Sequence, residues 1–79
     1  MLVEVTVFAT LRKYLPDLPV GGSRYIEVDP GATPADLIQI LGLPAEEVKI
    51  VIRNHVLTEL DEIVKEGDRI AFAPAIAGG

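Results

Sequence analysis

No cysteine occurs in this 79-residue sequence. That excludes a disulfide framework, a thiolate nucleophile and a thiolate metal site, so any sulfur chemistry must use borrowed sulfur. Histidine occurs once, as His55. With no cysteine and no carboxylates clustered at ligand spacing, a metal ion is not expected. Nor does any base stand near Ser23 in the sequence, so nucleophilic catalysis lacks its partners. Basic residues are few: seven Lys and Arg against twelve Asp and Glu give a formal charge of −5. That balance argues against non-specific nucleic-acid binding. No apolar run approaches the roughly 18–20 residues of a membrane helix, and no cationic apolar leader is seen. A cytoplasmic protein of one small domain, residues 1–79, is expected.

What is present is alternation. Val3, Val5, Val7 and Ala9 share one phase, and Leu2, Glu4, Thr6 and Phe8 the other. This predicts a strand with its valines inward and Phe8 pointing out. Leu11, Tyr14 and Leu15 have helical spacing over about one turn before Pro16. Ser23 to Asp29 predicts a second strand, with Ile26 and Val28 inward. Thr33-Pro34-Ala35-Asp36 is a helix start: a capping hydroxyl, a proline where no N–H is needed, and a carboxylate at the positive end of the dipole. The expected inward stripe is Leu37, Ile40 and Leu41, and Gly42 suits a left-handed cap. Val48, Ile50 and Ile52 alternate with Lys49, Val51 and Arg53, a third strand. Asn54-His55 is its turn, and Val56-Leu57 a short return. Leu60, Ile63 and Val64 are expected as apolar pins under a loop.

The last stretch starts as a strand and ends as a tail. Ile70 and Phe72 face one way, and Arg69, Ala71 and Ala73 the other. Pro74 stops the strand, because it has no N–H for the ladder. One helix over one face of a mixed sheet of four to five strands makes a two-layer α+β domain. The first and last strands can pair in parallel, since the helix supplies the crossover. The uncovered face is expected to show Glu4, Thr6, Phe8, Ala71 and Ala73, with Lys49, Val51 and Arg53 nearby, as a docking surface. Residues 75–79 are expected as a flexible tail ending in Gly78-Gly79. Two glycines put no side chain beside the carboxylate, so a thin chain can enter a narrow channel.

Three stretches resemble the sulfur-carrier family that joins the small subunit of molybdopterin synthase (MoaD) to its thiamine-pathway relative (ThiS). Phe8-Ala9-Thr10-Leu11-Arg12 resembles an F-A-x-[LV]-R opening. Gly67-Asp68-Arg69-Ile70-Ala71-Phe72 resembles the family's approach to its final strand, and Pro74 to Gly79 its P-P-V-x-G-G close. Ala73, Ala75 and the Asn54-His55 turn depart from the usual pattern of aromatic, proline and Asn-Gly. The resemblance implies a ubiquitin-like β-grasp fold. It implies that Gly79 is adenylated and converted to a thiocarboxylate. The partners implied are a ubiquitin-activating-type adenylating enzyme (MoaB/ThiF-like class, MoeB), which uses ATP, and a molybdopterin synthase large subunit (MoaE-like). That large subunit would hold the catalytic residues; this chain would be no enzyme and bind no cofactor. Gly78, Ile76, Pro74 and Phe8 would meet the partner. Alternatives are a carrier for thiamine or another acceptor, or a ubiquitin-like protein modifier.

Overall fold

The computed structural model describes residues 1–75. Among the described residues there are five strands and one α-helix: β1 (Leu2–Val7), β2 (Arg24–Glu27), α1 (Pro34–Leu41), β3 (Ile50–Arg53), β4 (Val56–Leu57) and β5 (Arg69–Ala73). Short 3₁₀ helices cover Ala9–Tyr14 and Ala45–Glu47. The sheet order is β2-β1-β5-β3-β4, so the last strand lies at its centre. β1 and β5 are parallel, with Val5 opposite Ile70 and Val7 opposite Phe72. The other pairings are antiparallel. One helix on one face of this mixed sheet is the β-grasp arrangement that the sequence leads one to expect.

Alternation decides which face is covered. Val3, Val5, Ile70 and Phe72 are fully buried, and with Leu11, Leu37 and Val64 they form the centre of the core. The helix starts on the device the sequence offers. Asp36 N–H donates to Thr33 Oγ1 at 3.3 Å, and Thr33 N–H donates to Asp36 Oδ2 at 3.0 Å. Gly42 closes it at φ 73°, which glycine adopts without a Cβ clash. Thr33→Ala removes one half of this reciprocal cap. A loss of about 1 kcal/mol is expected, seen as a lower urea midpoint with an unchanged slope.

Four expectations need correction. The strand stops at Val7, and the inward alternation does not reach Ala9, which is exposed at φ 55° and opens the first 3₁₀ helix. On α1 the buried stripe is Pro34, Leu37, Ile38 and Leu41, while Ile40 is 58% exposed. Leu37 and Leu41, four residues apart, form one line along the helix, and Pro34 and Ile38, also four apart, form the line beside it. Val64 is buried as expected, but Leu60 and Ile63 are exposed. β3 has the opposite phase from the one expected. Val51 lies across from Phe72 on the core face, so Ile50 and Ile52 lie across from Ala73 and Ala71 on the open face. Val48 and Val51 are both buried, three residues apart, so strict alternation fails at Lys49, where the preceding 3₁₀ helix hands over to the strand.

No described helix is long and apolar enough to cross a membrane.

Candidate docking face and carboxyl-terminal strand

β5 places whatever follows it. Its last residue is locked into the sheet, because Lys49 N–H donates to Ala73 O at 3.0 Å. Pro74 ends the ladder and is partly exposed, and Ala75 is exposed. Of the residues expected to act, Ile76, Gly78 and Gly79 lie outside the described residues. The chain therefore leaves the middle of the sheet, not an edge. That position is braced by β1 on one side and β3 on the other.

Phe8 caps the first 3₁₀ helix from an extended conformation, φ −120°. Its N–H donates to Phe72 O at 3.0 Å, which continues the parallel pairing by one residue. Its ring points to the open face and is 42% exposed, as expected. There it meets Ile52, His55, Arg69 and Ala71 around a shallow cavity of about 210 Å³. Pro74 does not line this cavity. Thus Phe8 and Ala71 were legible as face residues, whereas Ile52, His55 and Arg69 were missed as cavity residues. For Arg69 the signal was there: it shares the phase of Ala71 in the last strand. Ile52 was hidden by the inverted phase of β3.

The other end of this face is closed. Thr6 is on the open side but only 1% exposed, and its Oγ1 donates to Gly22 O at 2.6 Å. The loop carrying Gly22 lies over it. A Cβ at Gly22 would stand 2.7 Å from the Pro19 ring, so the close approach needs glycine. Glu4 accepts from Ser23 Oγ and stands 3.7 Å from Arg69 Nη1. Opposite, an asparagine clamp holds the β3–β4 turn to the start of β5. Asn54 Nδ2 donates to Asp68 Oδ1 at 2.9 Å, and Asp68 Oδ2 accepts from Lys65 N–H at 2.8 Å.

Two groups away from this face titrate off their ordinary values. Tyr14 Oη donates to Glu47 Oε2 at 2.9 Å, and that bond raises the phenol. The Arg24 guanidinium donates two hydrogen bonds to the Asp17 carboxylate and lowers it. Neither lines the cavity, and both fasten the loop after β1. Among the described residues no group of three or more His, Asp or Glu side chains could hold a metal ion.

Comparison with known proteins agrees with this architecture. The ThiS family model matches residues 5–79. No curated protein gives a significant sequence match. A putative molybdopterin converting factor, subunit 1, from Pyrococcus furiosus is 25% identical, with TM-score 0.74 over 95% of this chain and 98% of its own. SAMP1 from Haloferax volcanii is 23% identical, with TM-score 0.74 over the whole of both chains. A complex of subunits 1 and 2 of the molybdopterin-converting factor from Helicobacter pylori contains a chain 24% identical, with TM-score 0.63 over the whole of both chains. The last two matches speak for the fold alone. With the family match running over nearly the whole length of a β-grasp domain, the chain belongs to the ThiS family of ubiquitin-like sulfur carriers.

Proposed function

We propose that this chain is a sulfur carrier whose Gly79 carboxylate becomes a thiocarboxylate, and that it serves as the small subunit of molybdopterin synthase in molybdenum cofactor biosynthesis. One observation carries the proposal: the family match extends through Gly78-Gly79 in a chain with no cysteine. Such a chain can bear sulfur only at a carboxylate.

A carboxylate oxygen attacks the α-phosphorus of ATP on a ubiquitin-activating-type enzyme, and pyrophosphate leaves. Hydrosulfide then attacks the acyl carbon, AMP leaves, and loss of a proton gives the thiocarboxylate; where a persulfide delivers the sulfur, a second thiol cleaves the resulting acyl disulfide and leaves joined to the donor sulfur as a disulfide. The carrier contributes a thin, unhindered terminus and a rigid base for it. The base is β5, held at the sheet centre. In this reading the large subunit supplies the catalytic residues, as subunit 2 accompanies subunit 1 in the Helicobacter pylori complex. Phe8 and Ile76 are the apolar contacts, with Pro74 as the release point.

Phe8→Asp tests the docking face. Its ring is partly exposed, so the monomer should keep its thermal midpoint. Affinity for the large subunit should fall about tenfold or more, the usual scale for an aromatic at the heart of an interface. Unchanged affinity by calorimetry would remove this face from the interface.

A further inference from the structure

The cavity on the open face deepens the docking role proposed above and rests on it. Phe8, Ile52 and Ala71 give it an apolar floor, and His55 and Arg69 stand with them around it. In a chain of formal charge −5, a cation and an imidazole beside an apolar floor make a local exception. The backbone holds the two together. Asn54 N–H donates to Arg69 O at 2.9 Å, and Arg69 N–H donates to Asn54 Oδ1 at 2.9 Å. The residue before His55 is thereby strapped to Arg69. His55 itself sits at φ 72°, a left-handed conformation that a residue with a Cβ adopts only at a cost. The two-residue turn between Arg53 and Val56 requires that conformation at both Asn54 and His55, and so fixes where the imidazole stands. The Arg69 side chain is 44% exposed, and its nearest carboxylate, Glu4, is 3.7 Å away and already accepts from Ser23. A guanidinium has five donors, so most remain for a partner.

We propose that this cavity receives one apolar side chain of a partner protein, and that Arg69 and His55 bind a carboxylate next to it in the partner's sequence. At about 210 Å³ the cavity suits a single aromatic or branched side chain rather than a cofactor-sized molecule. The carboxylate accepts from the guanidinium and from an imidazole N–H. A partner with a lysine at that position meets Arg69 with like charge and is disfavoured.

Two probe peptides of equal shape test this: acetyl-Phe-Asp-amide and acetyl-Phe-Asn-amide, titrated into the isotope-labelled chain by NMR. Shifts should centre on the amides of Ile52, His55 and Ala71. The aspartyl peptide should bind about 3–5-fold more tightly, the scale of an exposed ion pair. Arg69→Gln should erase that preference. His55→Gly should lower it about twofold while raising Tm, because glycine relieves the left-handed turn. A merely structural histidine would not move affinity and stability in opposite directions. Equal binding of the two peptides, shifts centred elsewhere, or no binding at all would overturn the proposal. So would full affinity of Arg69→Gln for the large subunit. Sulfur loading at Gly79 is scored independently, so these failures leave the carrier proposal standing.

Discussion

Deletion of Gly79 should abolish activation and leave the domain folded. The two halves of that expectation come from different parts of the chain. Among the described residues, the core cluster runs from Val3 to Phe72, and the last sheet contact is at Ala73. Truncation at the far end removes none of these, so the urea midpoint should not change. Activation is another matter. The carboxylate of the shortened chain is withdrawn by one residue, about 3.3–3.6 Å of extended chain. A misplacement of about 1 Å can already cost on the order of 100-fold in a positioned reaction. Adenylate formation, followed as pyrophosphate release with the activating enzyme, should fall below detection. A truncated chain that still turns over ATP at the normal rate would show that the reactive group lies elsewhere.

Phe72→Ala should be the most damaging single change to the fold. Phe72 is fully buried in β5, with Val7 beside it on one strand and Val51 on the other. Truncating it removes a large apolar surface and opens a cavity where three strands meet. Such substitutions cost about 3–5 kcal/mol. A domain of this size holds on the order of 4–12 kcal/mol in total. The thermal midpoint should therefore fall by at least about 12 °C, or folding should fail outright. The other phenylalanine is the control: Phe8 is 42% exposed on the open face, and Phe8→Ala should cost far less. Equal losses in the two variants would contradict the assignment of faces.

The fold was legible where one physical cause dominated. β1 carries valine at every inward position and mostly polar residues between, so period two settled its face. The Thr33-Pro34-Ala35-Asp36 start fixed the beginning of α1 because each residue satisfies a separate need of a helix terminus. Legibility failed where two faces were equally apolar. Ile50, Val51 and Ile52 are all β-branched, so alternation alone cannot say which one points inward. Only pairing with β5, which sets Val51 beside Phe72, decides it. Ile40 failed for a related reason: helical spacing admits Ile38 with Leu41 as well as Leu37 with Ile40, and the packing of α1 on the sheet chooses.

The site was legible to a smaller extent. Phe8 and Pro74 were expected on the open face and at the end of β5, and they lie there. The cavity was not foreseen, because it joins residues from β1's end, β3, the β3–β4 turn and β5. That juxtaposition depends on the inverted phase of β3 and on the Asn54 clamp. Gly78 and Gly79 carry their meaning in chemistry rather than in packing, which is why the sequence could single them out.

The most direct test of the carrier proposal is the intact mass of the full chain after incubation with its activating enzyme, ATP and a sulfur donor. The proposal predicts a mass gain equal to one exchange of oxygen for sulfur, localised to Gly79 by fragmentation. An unchanged mass despite ATP turnover by the enzyme, or a chain recovered in amide linkage to lysines of other proteins with no sulfur-bearing form, would contradict it.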